Sequence, residues 1–207
     1  MKKLSVIVLS MLLVLSIGQA AFANNYVGLL VGMSFPEGAP NPSFVVGAKA
    51  LYDISDRFSI NAKAIGEKDF KDPASSFNLK AQADLRFKIV DIIIVNAGVL
   101  LGANAAYDFG GSPFALDLAA GIYANLDLFR TIHVYADAKI SLLRFTPGFA
   151  WLLSSKDENN DGIPDVSPEF SASLGLIYDI TPLVSVNFDI SFIQPTIAIS
   201  LGAGLSF

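Results

Sequence analysis

One stretch of this 207-residue chain places oxygen donors at a spacing that metal chemistry requires: DENNDGIPD, Asp157 to Asp165. Asp157, Asn159 and Asp161 stand at alternate positions, Gly162 permits a sharp turn, Ile163 offers a backbone carbonyl, and Asp165 takes the ninth place. Such a run of hard oxygen ligands suits Ca²⁺. The twelfth place, where a bidentate carboxylate would tighten the grip, is Pro168, with Glu169 one step late. The expectation is therefore a weak calcium site that orders a loop and catalyses nothing. The alternative is a hydrated acidic segment built from turn-forming Asn, Asp, Gly and Pro. Other chemistry is sparse. The absence of cysteine excludes disulfides and thiolate metal sites. The single histidine, His133, could serve a general base only with a nucleophile or carboxylate nearby, and nothing in its neighbourhood marks one. The glycines of VGLLVG and GAGLSF open no helix after a strand, so they make no phosphate cradle.

The elements that must position these residues are strands. In FNLKAQADLRFKIV, Phe77 to Val90, the residues Asn78, Lys80, Gln82, Asp84, Arg86 and Lys88 alternate with Phe77, Leu79, Ala81, Ala83, Leu85, Phe87 and Ile89. A period of two argues a strand with one polar and one apolar face. The same period predicts strands over 25–35, 43–53, 58–66, 77–90, 95–107, 114–128, 132–143, 170–179, 184–192 and 197–207. Ten is the count; eight or twelve would follow if one hairpin were divided differently. The connections ISDR, VDI, FRT and TPL are short, and the longer PEGAPNP, EKDFKDPASS, GGSP, the segment 146–169 and IQPT fall between them by turns.

The opening MKKLSVIVLSMLLVLSIGQAAFANN has a basic start, an apolar run and an Ala21-Phe22-Ala23 cleavage pattern, which predicts a secretory signal over 1–23 and a mature domain over 24–207. Its apolar run of about 14 residues is shorter than the about 20 that a transmembrane helix needs. Without Lys2 and Lys3 the formal charge moves from −5 to −7. An acidic exported chain is a poor match for nucleic acid, since little would neutralise phosphate.

Strict alternation suits either a soluble barrel, greasy inside, or a membrane barrel, greasy outside. Three features favour the membrane. Small residues (Gly98, Gly102, Gly121, Gly175, Ser200, Gly202, Gly204, Ser206) crowd the polar face, as a tight lumen would want. Aromatic residues cluster at strand ends, as at the two interfaces of a bilayer. Finally, the ending SLGAGLSF, with Ser200, Gly202, Leu205 and Phe207 at fixed offsets, resembles the sorting signal of outer-membrane barrels. The fold class expected is an all-β, antiparallel transmembrane β-barrel with short periplasmic turns and longer outer loops. Lys63, Lys80, Asp84, Arg86, Lys88, Asp117, Asp127, Asp137, Lys139 and Asp189 are then lumen charges. Lys80, Asp84, Arg86 and Lys88 should meet Asp117, Asp127, Asp137 and Asp189 in an ion-pair network, because a basic residue facing lipid at mid-depth costs roughly 2–4 kcal/mol.

The pattern resembles the broad class of small OmpA/OmpX/OmpW-like outer-membrane barrels. That resemblance implies outer-membrane lipid around the barrel, contact of the C-terminal strand with the barrel-assembly machinery, and periplasmic termini. It implies a structural or narrow, porin-like passive barrel of the cell envelope with a charged lumen and no enzymatic activity. Two alternatives stand beside it: a surface protein binding an extracellular ligand through the 144–169 loop, and a barrel enzyme acting on lipid or protein. Omptin-like proteases act at the outer mouth, whereas His133 follows the short turn FRT. The acidic motif also resembles the calcium repeats of thrombospondin type 3 and, through position nine, an EF-hand loop.

Overall fold

The computed structural model describes residues 25–36, 41–69, 77–109, 114–128, 131–146, 149–152, 155–156, 165–166, 169–193 and 196–207. The signal segment lies outside these. In chain order the strands are β1 (Tyr26–Pro36), β2 (Ser43–Asp53), β3 (Phe58–Asp69), β4 (Asn78–Ile92), β5 (Val95–Asp108), β6 (Ala115–Leu128), β7 (Ile132–Thr146), β8 (Phe149–Leu152), β9 (Ser155–Lys156), β10 (Asp165–Val166), β11 (Phe170–Asp179), β12 (Val184–Ile193) and β13 (Thr196–Ser206). Ten of them, β1 to β7 and β11 to β13, pair antiparallel with their neighbours. Two joins close the ring. β1 pairs with β13 from Tyr26↔Ser206 to Pro36↔Thr196, and β7 pairs with β11 from Ile132↔Tyr178 to Ile140↔Phe170. The protein is a closed ten-stranded antiparallel β-barrel. Closure leaves no open edge in the wall, which a hydrocarbon surrounding demands of a sheet.

The alternation read from sequence sets the two faces. Leu29, Val31, Met33 and Phe35 of β1, Leu79 and Leu85 of β4, Leu101 of β5, and Ile122 of β6 are exposed on the outside. Rings meet at both rims: Phe58 with Phe87 at 5.1 Å near the short turns, and Phe77 with Phe109 at 5.8 Å and Phe170 with Phe192 at 6.3 Å near the longer loops. The buried groups lie within the ring and are largely polar. An apolar cluster of Tyr26, Tyr135 and Ile177, with Leu51 against it, packs in the half nearer the turns.

Two of the short turns share one device. The Ser55 hydroxyl accepts from the amide of Phe58 at 3.2 Å, and the Thr181 hydroxyl accepts from that of Val184 at 3.0 Å. In each the hydroxyl satisfies an amide at the start of the next strand. The β4–β5 turn departs from the sequence reading. The sequence predicts VDI as the connection, but β4 continues through it to Ile92 and the chain reverses at Ile93–Ile94. The reason is a bulge between Lys88 and Val90, which makes Ile89 an extra residue and lets the ladder resume at Val90↔Ala97. A second bulge lies at the other end, where Leu118 and Ala119 pair with Leu143 and Ser141 and leave Leu142 over.

Candidate functional site

The candidate site is the lumen, and it is built in three levels. At mid-height the alternation of β2, β3, β4, β7 and β12 aims charged residues at one another. Asp189 accepts from Lys49 at 2.9 Å, from Lys63 at 2.8 Å and from the Tyr135 hydroxyl at 2.6 Å. The Asn187 amide donates to that hydroxyl at 3.0 Å, and the Lys49 ammonium lies 3.6 Å from the Tyr135 ring centre. Arg86 donates to Asp137 at 3.1 Å, as does Ser173 at 2.6 Å, while the guanidinium lies over Tyr123. Lys139 donates to Asp84 at 2.8 Å and Gln82 does so at 2.7 Å. The side chains of Lys49, Arg86, Lys139, Asp84, Asp137 and Asp189 are at most 2% exposed. Arg86 with Asp137 joins β4 to β7, and Lys49 with Asp189 joins β2 to β12; neither pair of strands is adjacent in the wall. These bonds therefore cross the lumen.

Two glycines make room for this layer. A Cβ on Gly175 would run into the Tyr135 ring, and one on Gly102 would press on the Asp84 carboxylate. Each stands opposite the group it accommodates on the neighbouring strand, Gly175↔Tyr135 and Gly102↔Asp84.

On the loop side, Arg144 forks onto Asp117 at 2.7 and 3.0 Å and reaches Glu169 at 2.6 Å. Lys80 pairs with Glu67 at 2.7 Å. A cavity of about 410 Å³ lies on the turn side, floored by Arg86, Tyr123 and Tyr135; one of about 160 Å³ lies on the loop side over Lys49, Lys63 and Asp189. The two have no lining residue in common.

His133 sits on the turn side between two acids. Its Nδ1 is 2.7 Å from Asp127 and its Nε2 is 3.2 Å from Asp179. Asn96 also donates to Asp127, and Ser185 and Ser206 donate to Asp179. A neutral imidazole donates from one nitrogen only, so hydrogen bonds to both carboxylates require the imidazolium. Neither nitrogen faces a hydroxyl from which it would draw a proton.

All ten charges expected in the lumen lie among the described residues, but their partners differ in part from the expected set. Asp137 meets Arg86, whereas Lys80 takes Glu67, Lys88 takes Asp91 at 2.9 Å, Asp117 takes Arg144, and Asp127 takes His133. Sequence reasoning left out Lys49, Glu67, Asp91, Arg144 and Asp179 from the lumen charges. The bulges explain Arg144 and Asp91. Residues three apart fall on opposite faces of a regular strand, but Ile89 and Leu142 bring Asp91 to the face of Lys88 and Arg144 to that of Ser141. Of the calcium set, Asp157, Asn159, Asp161 and Ile163 fall outside the described residues. Asp165 opens β10, whose backbone pairs with β9. Ser200, Gly202 and Leu205 lie on β13, and Phe207 exchanges backbone bonds with Asn25.

No family pattern matches the sequence, and no curated protein matches it. Solved structures do. The outer-membrane protease OmpT from Escherichia coli aligns with a TM-score of 0.50 at 10% identity, over 91% of this chain and 99% of that one. Neisserial surface protein A gives 0.39 at 13% identity, over 88% and 96%. A KdgM porin in complex with oligogalacturonate gives 0.39 at 10% identity, over 90% and 99%. At these identities the likeness concerns fold alone. In fold, the chain is similar to small outer-membrane β-barrels.

Proposed function

We propose that this protein is a plugged barrel of the bacterial outer membrane, structural in its resting state and at most a narrow passive pore. The observation that carries the reading is the mid-height layer of Lys49, Lys63, Arg86 and Lys139 with Asp84, Asp137 and Asp189, bonded across the lumen between two cavities. A solute would have to part these pairs, and separating a buried pair is unfavourable by several kcal/mol. Barrels of about eight strands are filled by their own side chains, while about sixteen leave a channel. Ten strands belong near the filled limit.

The rim that bears the short turns, together with Asn25 and Phe207, faces the periplasm in this reading, because short turns are periplasmic in such barrels. The C-terminal strand is the segment offered to the assembly machinery, and lipid surrounds the wall. His133 has no catalytic role, since carboxylates engage both its nitrogens. Single-channel recording in planar bilayers tests the plug. The wild-type protein should show no steady openings. Asp84→Ala with Lys139→Ala, which removes both members of one pair, should raise the conductance. Steady wild-type currents unchanged by that double variant would refute the plug.

A calcium-ordered outer loop is a second reading. It is supported by the β9–β10 ladder, Asp165↔Lys156 and Val166↔Ser155, which brings together the two ends of the acidic segment. Slower proteolysis between β8 and β11 in calcium than in chelator would bear on it directly.

A further inference from the structure

The β4–β5 turn is built from the wrong residues for a turn in water. A two-residue hairpin turn favours Asn-Gly or Asp-Gly, because its central residues adopt positive φ. Here the residues are Ile93 and Ile94, and Ile93 holds φ at 27°, the only positive value among the described non-glycine residues. A β-branched side chain is strained in that region. It is also fully solvent-accessible, and its neighbours Ile92, at 62%, and Ile94, at 46%, are exposed as well. The strain thus serves no packing within the chain. The adjacent β2–β3 turn has one exposed isoleucine, Ile54 at 50%, followed by the exposed polar residues Ser55, Asp56 and Arg57, and is held by the Ser55 hydroxyl.

What covers the isoleucines follows from continuity. Leu85, Ile89, Val90 and Ile92 on β4, with Leu101 and Val99 on β5, form an exposed apolar strip that runs down the wall into the turn. The upper part of that strip faces acyl chains if the barrel spans a membrane, and no polar residue of the outward face interrupts it before Ile93. The bulge at Ile89 contributes. It shifts the register by one, so that Val90 and Ile92 point outward and Asp91 turns back to Lys88.

We propose that the Ile92–Ile94 turn is a lipid-inserted anchor, seated at the boundary of acyl chains and headgroups in the leaflet on the turn side. It makes that rim asymmetric: the barrel is sunk deeper on the β4–β5 side than on the β2–β3 side. The inference rests on the membrane-barrel reading of the preceding section.

Nitroxide labelling of the full chain in phosphatidylcholine vesicles tests it, with labels introduced by Ile93→Cys, Ser55→Cys and Leu101→Cys. Collision with oxygen reports lipid, and collision with a water-soluble nickel chelate reports solvent. Leu101 lies mid-wall, so a lipid signal there establishes the spanning barrel independently. Given that signal, position 93 should favour oxygen over nickel several-fold more than position 55. Equal, water-like collision at 93 and 55 would overturn the anchor while leaving the barrel intact. A label at 93 that neither collider reaches would overturn it too, since protein and not lipid would then cover the turn. A water-like label at Leu101 would refute the spanning barrel itself and the anchor with it. Ile94→Cys repeats the comparison should the substitution at 93 disturb the strained turn.

Discussion

Asp189 shows how much the lumen asks of one side chain. It faces Lys49, Lys63 and the Tyr135 hydroxyl at once and is almost fully enclosed. Asp189→Asn would keep the shape and leave two ammonium groups without a counter-charge. Removing one partner of a buried pair costs about 3–5 kcal/mol, whereas replacing all members with apolar groups is often neutral. Urea unfolding of the detergent-folded barrel should register the loss, and Lys49→Met with Lys63→Met on the Asp189→Leu background should recover most of it. Asp91 gives the contrast. It pairs with Lys88 at the rim and its side chain is 65% exposed, so Asp91→Asn should change stability by at most about 1 kcal/mol. Gly175→Ala tests the room made for Tyr135. The added methyl meets the ring, and overpacking of this kind costs about 1–3 kcal/mol. A variant as stable as the parent would mean that Tyr135 has somewhere else to go.

At the scale of the strand, the two bulges decide which charges are inside. Inserting one alanine between Leu143 and Arg144 would add a step to the alternation of β7, turn Arg144 toward lipid and break its fork onto Asp117. Near mid-depth a lipid-facing arginine costs about 2–4 kcal/mol, less toward the interface, and the lost bonds add to that. The insertion should lower the fraction migrating as the compact, heat-modifiable form on gels after refolding. Deleting Leu142, the extra residue of the bulge, keeps Ser141 and Arg144 on one face and should not. The same two sites mark the limit of what the residues disclosed. Alternation is a local property, so β2 and β11 could be read to the residue and the ten strands counted, because each strand carries its own period. A bulge is a choice made between two strands. Neither Ile89 nor Leu142 differs in type from the apolar residues around it, so neither bulge shows in the period, and the strands predicted over 77–90 and 132–143 stop short of Asp91 and Arg144. Partner identity was hidden for a related reason: Arg86 finds Asp137 because the ring closes and brings β4 opposite β7, which no single strand encodes.

For the whole molecule, closure is the condition on which everything else depends. A soluble sheet can leave an edge to water, but a sheet in hydrocarbon cannot, since each unpaired amide or carbonyl there costs several kcal/mol. β13 carries this load twice. It pairs with β12 from Val184↔Leu205 to Ile193↔Thr196 and with β1 along its whole length, and the backbone of Phe207 completes the seam against Asn25. It also contributes Ser206, which donates to Asp179 beside His133, so the seam and the turn-side lumen are tied together. A chain lacking 196–207 would expose two long, apolar strand edges, β12 and β1, and would lose one wall of the lumen. It could not recover by pairing β12 with β1 in a nine-stranded ring. Strands that alternate in direction would then meet parallel at the join, and β12 would have to reach over the gap that β13 filled. The truncated chain should therefore give no heat-modifiable band in detergent and should aggregate at concentrations where the full chain refolds. A compact, heat-modifiable truncation would show that the β1–β13 seam is not what closes this barrel.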